Sequence, residues 1–181
     1  MGRLSFTAIT SLDGYVADAG GGFGWARPDE EVHAFVNDLE RPIQTHLLGR
    51  RMYEVLSYWD VPDPDWEEIE RDYAQVWQSR DKVVYSSTLA EVGPKARLER
   101  SFDADAVRAL VADQEASVGG PGLAAHALRA GLVDEVSLLV NPVVVGGGTA
   151  ALPDDLRLDL ALLDQRRFGN GVVYLRYAVR L

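Results

Sequence analysis

Along most of this chain, short apolar runs suited to buried strands alternate with segments whose apolar residues recur at helical spacing. No other feature restricts the fold as much, because strands joined through helices cross over and pair in parallel. "RLSFTAIT" (3–10) reads as the first strand, and "SLDG" breaks it. "RPDEEVHAFVNDLE" reads as a helix, with Pro28 in its first turn and acidic residues near its positive end. "QTHLLG" (44–49) reads as a buried strand, "RRMYEVLSYW" as the helix after it and "DWEEIERDYAQVWQSR" as another. "KVVYSS" is a strand and "ARLERSF" a short one. "DADAVRALVAD" is a helix capped by its leading aspartate. "ASVGG" then runs into the helix "PGLAAHALRAG", which Gly131 ends. "VDEVSLLVNPVVV" reads as a strand up to the glycine run 146–148, and "LDLALLDQRRF", "GNG", "VVYLRYAVRL" form a closing hairpin. The sum is an α/β fold with a mixed sheet. No repeat or low-complexity linker interrupts it, so residues 1–181 are expected to form a single domain.

Composition narrows the function classes. At 181 residues and 47% hydrophobic, the chain has material for a full core. Its formal net charge of -10 argues against nucleic acid and anionic membranes as partners, both of which want a basic field. There are no cysteines, which removes disulfides, thiolate metal sites and cysteine nucleophiles, and no metal site is expected. The first residues read as a strand rather than a signal peptide, and no apolar run approaches the roughly 18 residues of a membrane span. The expectation is a cytoplasmic protein acting on a small molecule.

Three strand ends carry suggestive residues. At "ASVGGPGLAAHAL", Gly119, Gly120 and Gly122 crowd one strand-to-helix corner, with Pro121 at the first helical position. Either this is a tight turn with close packing, or free N–H groups at the helix start cradle an anion. In "LLGRRMYE", Arg50 and Arg51 open a helix where cations are unfavourable unless they meet an anion or pair with a carboxylate. Past "VVY", Ser86, Ser87 and Thr88 offer hydroxyls for a ligand or for capping their own turn. Together the corners have the makings of a dinucleotide site. No G-x-G-x-x-G follows the first strand, so the arrangement is not Rossmann.

"TAITSLDGYVA", "LLGRRMYE", "KVVYSSTL", "VGGPGLAAHALRAGLVDEVSLLVNPVVVGGG" and "FGNGVVYLRY" resemble, in order, the dihydrofolate reductase-like superfamily. The branch they are most similar to is the reductase domain of riboflavin biosynthesis, the C-terminal half of a bifunctional deaminase-reductase. The likeness covers nearly the whole chain and rests on the combination, not on one motif. It implies a single-domain dihydrofolate reductase-like fold: a mixed, mostly parallel sheet flanked by helices, a C-terminal antiparallel hairpin, and NADPH across the strand ends. Carried over by motif, Arg50 and Arg51 meet the adenosine phosphates, and Ser86 and Ser87, with Thr88 beside them, surround the 2′-phosphate. Gly119, Gly120, Gly122 and Leu123 form the pyrophosphate loop. Two positions depart from the pattern. Ser87 stands where many relatives carry arginine, and Met52 where a threonine is common. The zinc deaminase half is missing from this sequence, so bifunctionality is not expected.

On the substrate side, Asp13 either bonds its own backbone in the "SLDG" turn or orients substrate. Trp25, Pro28 and Glu30 match the Trp–Pro–acid segment of dihydrofolate reductases, which makes Glu30 the candidate substrate carboxylate. Its plain alternative is dipole complementarity at a helix start. His33, His46 and His126 do not cluster and are expected to be packed or solvated. Trp59, Trp66, Trp77 and Tyr73 are expected in core or interface, "DWEEIERD" as a solvated helix face, and the late apolar strands in a homodimer. The implied activity is NADPH-dependent reduction of 5-amino-6-(5-phosphoribosylamino)uracil, with Arg27 and Arg97 available for that substrate's phosphate. The alternatives are reduction of dihydrofolate or another pterin-like compound, and a dimeric nucleotide-binding protein without turnover.

Overall fold

The structure, a computed structural model, describes residues 2–180. Its strands are β1 (Arg3–Thr10), β2 (Tyr15–Asp18), β3 (Thr45–Gly49), β4 (Asp81–Tyr85), β5 (Ala96–Glu99), β6 (Glu115–Gly119), β7 (Glu135–Val140), β8 (Gly148–Ala150), β9 (Asp159–Arg167) and β10 (Val173–Arg180). Its helices are α1 (Glu30–Glu40), α2 (Arg50–Leu56), α3 (Glu68–Ser79), α4 (Ala104–Val111) and α5 (Pro121–Arg129). Eight strands make one sheet in the order β5-β4-β3-β6-β1-β7-β10-β9. The first six run parallel, and β10 joins antiparallel to β7 and β9. This is the mostly parallel α/β sheet with a terminal hairpin that the alternating sequence implies.

The inner strands are buried on both faces, as parallel strands under helices must be. One face packs Leu4, Phe6, Leu47, Val83 and Val118 against Val107 of α4 and Leu123, Ala124, Ala127 and Leu128 of α5. The opposite face carries α1 through Val32 and Phe35, and α2 and α3 through Tyr53 and Trp77 over Leu48 and Val84. Among the described residues, no helix is long and apolar enough to cross a membrane.

Several boundaries differ from the sequence reading. Pro28 precedes α1 rather than sitting in its first turn, because Asp29 is the cap. The helix read over 50–59 ends at Leu56 and tightens into a 3₁₀ turn over Ser57–Asp60. Strand β7 stops at Val140, before Asn141 and Pro142, whose ring has no N–H for a ladder. Two short segments that carried no strand reading, Tyr15–Asp18 and Gly148–Ala150, pair as the β2–β8 ribbon. Gly148 makes that closure possible, since a Cβ there would lie 2.0 Å from the Ala17 carbonyl oxygen.

A polar row crosses the α1/α3 face of the sheet: Lys82, His46 and Ser117 stand in register on β4, β3 and β6. His46 stacks on Trp77 at 5.7 Å, and the Lys82 ammonium lies 4.4 Å over the same ring. The His46 Nδ1 pairs with the Ser117 hydroxyl at 2.8 Å. Burial pushes the imidazole down to about 4, with the Lys82 and Arg80 charges adding to it. Glu40, 3.7 Å from His46, is pushed up to about 7 by burial, against the pull of Arg80. A neutral imidazole beside this carboxyl is not an ion pair.

Glu40's folded pKa lies above its ordinary 4.5, so its favourable contribution is complete below about pH 4.5 and is lost as pH rises through about 7. Glu40→Gln is expected to match the parent near pH 4.5 and exceed it at pH 8 by on the order of 3 kcal/mol. Urea unfolding across that range reads the effect, and parallel profiles for the two proteins contradict it.

Candidate functional site

In a parallel sheet, each helix that follows a strand begins at the sheet's carboxyl edge. Here α1, α2, α4 and α5 begin there, as does α3, which returns the chain to the start of β4. Each start leaves backbone N–H groups without helical partners. Three starts are closed by the chain's own carboxylates. Asp29 accepts from the Val32 N–H at 3.0 Å on α1, and Asp103 from those of Asp105 and Ala106 on α4. Glu67 and Glu70 form a reciprocal capping box on α3. The other two starts, α2 and α5, follow Gly49 and Gly120, which bring no capping side chain.

Those two uncapped starts are neighbours, because β3 lies beside β6. A Cβ on Gly49 would come 3.7 Å from that of Leu123. From β3 the chain departs toward β4 on one face, and from β6 toward β7 on the other. Such a parting of adjacent connections opens the crevice in which α/β sheets bind ligands.

The three glycines at the β6 corner have different reasons. Gly119 serves packing, since a Cβ would lie 2.7 Å from Leu48 Cδ2 and 3.2 Å from Met52 Cγ. Gly120 has φ +91°, a backbone state that side chains resist. Gly122 meets neither constraint: its φ is not positive, and a Cβ there would find nothing within 4 Å. The space before the first free N–H groups of α5 is thus open. Leu123 offers only its backbone, its side chain being in the core. Nearby, on the α5 face at the end of β1, Thr10 is 1% exposed and its hydroxyl lacks a hydrogen-bond partner. An open cradle, free amides and an orphaned hydroxyl fit a phosphate-bearing cofactor.

The cations reach the same edge. Arg50 donates to Glu54 at 2.8 Å and to the Thr88 hydroxyl at 2.9 Å, tying the β3 corner to the β4 corner. Arg51 is exposed and forms no ion pair among the described residues. Ser86 caps its own turn, accepting from the N–H groups of Thr88 and Leu89, while Ser87 is exposed. One further cation was not legible in the sequence: Arg100, which donates to the carbonyls of Ser86 and Leu89 at 3.1 and 2.7 Å. It sets a guanidinium against the backbone of this turn.

On the α1/α3 side of the same edge lies a hollow of about 390 Å³. Tyr58 and Trp59 wall it, their rings 5.0 Å apart, and Trp59 packs on Trp66 and Tyr73. Glu30 lines it, as do Arg27 and His33. Burial lowers the pKa of His33 against the pull of Glu70, Asp72 and Glu67. Arg97 sits elsewhere, on β5, paired with Glu99. The "DWEEIERD" run is more than a solvated face, because Glu67 and Glu70 cap α3 at the hollow's rim. Asp13 accepts from the N–H groups of Val145 and Gly146 at 3.2 and 2.8 Å, linking the loop after β1 to the loop after β7. The Ser11 hydroxyl, followed by those amides, holds its carboxyl below the usual range.

The glycines separate by substitution. Gly119→Ala is expected to destabilise by about 1–3 kcal/mol through overpacking. Gly122→Ala is expected to leave stability unchanged or slightly raised, an alanine being the better helix former. Thermal unfolding of both variants checks this, and a large loss in Gly122→Ala contradicts it.

With this geometry in place, the comparisons with known proteins converge. A YyaP protein of Bacillus subtilis, itself uncharacterized, is 26% identical over 179 residues, covering 97% of this chain and 94% of its own. A Shewanella sp. PV-4 protein named provisionally for riboflavin biosynthesis superposes with TM-score 0.77 at 23% identity, each chain fully covered. A deaminase/5-amino-6-(5-phosphoribosylamino)uracil reductase of Thermotoga maritima superposes with TM-score 0.66 at 14% identity, over 99% of this chain and 57% of that one. The family model described as the RibD C-terminal domain matches residues 3–174, and the chain belongs to that family.

Proposed function

We propose that this chain is an NADPH-dependent reductase of a nitrogen heterocycle, resembling the reductase that acts on 5-amino-6-(5-phosphoribosylamino)uracil. The observation that carries the reading is the pair of uncapped, glycine-started helices on neighbouring strands, flanked by guanidinium groups at the edge that also holds the hollow. The cofactor's pyrophosphate would lie against the free amides at Gly122 and Leu123, with Gly119 and Gly120 setting the backbone path. Arg50 and Arg51 would meet the adenosine phosphates. Ser86, Ser87 and Thr88, backed by Arg100, would surround a 2′-phosphate. When bound, this cofactor supplies a hydride.

The chain's own part is positioning. Asp13 stays ionised and holds two loops together at the strand ends. Glu30 presents a carboxylate to the hollow, and no partner for it is found among the described residues. That placement favours the second substrate reading, dihydrofolate or another pterin-like compound. We also propose a homodimer through β9. This outer strand leaves Leu160, Leu162 and Leu163 38%, 53% and 47% exposed, and unpaired apolar edges seek partners. Sedimentation of the parent as a dimer and of Leu162→Lys as a monomer is expected, and a monomeric parent refutes it.

The nucleotide reading is tested by titrating the protein with NADPH and NADH while following tryptophan fluorescence. Tighter binding of NADPH is expected, weakened tenfold or more by Arg50→Ala and by Gly122→Ala. Arg100→Gln is expected to narrow the difference between the two nucleotides. No binding of either nucleotide refutes the proposal. Tight binding without turnover of any pterin or ribosyl-pyrimidine leaves a nucleotide-binding protein.

A further inference from the structure

The chain has three asparagines, Asn37, Asn141 and Asn170. An asparagine loses its side-chain amide when the backbone nitrogen of the next residue attacks its Cγ. The neighbour and the freedom of the backbone therefore decide which of them reacts. Asn37 is 0% exposed within α1, and its Nδ2 donates to the Ile69 carbonyl and to Asp72 at 3.0 and 2.7 Å. Asn141 precedes Pro142, whose ring nitrogen has no proton to lose. Asn170 lies exposed in the turn between β9 and β10, and the exposed Gly171 after it puts no side chain in the way. The loop over 169–171 is closed by the Phe168 N–H on the Val172 carbonyl at 2.9 Å and by the Gly171 N–H on the Phe168 carbonyl at 3.1 Å. Gly171 has φ +90°, as a three-residue hairpin loop asks of its last position. The Asn170 Oδ1 accepts from the Val172 N–H at 3.0 Å. That donor faces the oxygen on which charge collects when Cγ is attacked.

We infer that Asn170 is a site of spontaneous deamidation in the folded protein, and that the change slackens the hold of the closing hairpin on α1. The Gly171 nitrogen gives up its proton to base, leaves the Phe168 carbonyl and forms a bond to Asn170 Cγ. The Cγ–Nδ2 bond breaks, and the amide departs as ammonia with a proton from water. Water then opens the five-membered imide at either carbonyl. One opening gives aspartate; the other reroutes the chain through Cγ and gives isoaspartate. Nothing is oxidised or reduced, and water is the sole co-reactant. Both products set a new carboxylate beside Gly169, whose N–H donates to one oxygen of Glu31 at 3.1 Å while Arg166 donates to the other at 3.0 Å. Isoaspartate also adds a main-chain methylene to the short loop. Asp13 precedes a glycine too, but it is an ionised carboxylate held by the Val145 and Gly146 amides, a poor target for attack.

The test incubates the full-length protein in heavy-oxygen water at mildly alkaline pH, both folded and unfolded in urea. Peptide masses locate the label, and an isoaspartyl methyltransferase marks the rerouted product. In the folded protein, heavy oxygen is expected at Asn170 and not at Asp13, Asn37 or Asn141. Its rate of entry is expected to fall about tenfold per pH unit toward neutrality, as the deprotonated nitrogen becomes scarcer. Asn170→Ser is expected to acquire neither label. If the unfolded chain takes up heavy oxygen at Asn170 while the folded protein does not, the inference is overturned, because the turn then protects the residue. Equal uptake at Asn37 overturns it as well. The aged protein, separated from the fresh by anion exchange, is expected to unfold at a lower temperature, while aged and fresh Asn170→Ser unfold together. An aged form as stable as the fresh one overturns the link through Glu31.

Discussion

The first turn of a helix has N–H groups that something must satisfy, and how this chain satisfies them organises its whole carboxyl edge. Five helices start along that edge. Aspartate or glutamate closes three of them, and glycine leaves two open. Because β3 and β6 are adjacent, the two open starts lie side by side in a protein of net charge -10. The capped starts of α1 and α3 form the opposite: a hollow rich in carboxylates, where Asp29 holds the Val32 amide and Glu67 that of Glu70. On the proposed reading, it is backbone capping that separates the side taking a cofactor from the side taking a substrate.

Sheet order turns these local choices into a site. Strands β3 and β6 lie 71 residues apart in sequence at their paired positions, from Thr45 with Ala116 to Leu48 with Gly119. That pairing brings the Arg50 corner to the glycine loop, and the β3–β4 pairing brings Thr88 within reach of Arg50. On the sheet's other end of the same face, the Lys82–His46–Ser117 row and Glu40 fill space with polar groups, and burial keeps the His46 imidazole neutral. They sit near the amino ends of the strands and belong to the scaffold.

Much of this was legible in the sequence for identifiable reasons. Strand–helix alternation is a short-range signal, so the sheet and the hairpin could be read directly, as could the aspartate cap of α4. The glycine corner and the Arg50–Arg51 pair announce themselves because each violates a local preference. What lay hidden depends on distant pairing. Arg100 reaches the Ser86 turn only because β5 pairs with β4, placing Glu99 opposite Tyr85. The hollow's walls come from segments around 27–33, 58–59 and 67–70, and no linear pattern joins them. Nor does "DWEEIERD" reveal which of its acids will cap and which will face solvent. The three glycines look equivalent in sequence, and only geometry shows that Gly119 answers to Leu48 while Gly122 answers to nothing in the protein.

We propose that capping sorts the helix starts into those that take anions and those that turn them away. The most direct measurement is the amide NMR spectrum of the labelled protein during titration with NADPH. Large shifts of the Gly122 and Leu123 amides are expected, with those of Val32 and Glu70 unmoved because Asp29 and Glu67 already hold them. Shifts at Val32 and Glu70 with none at Gly122 and Leu123 would contradict it.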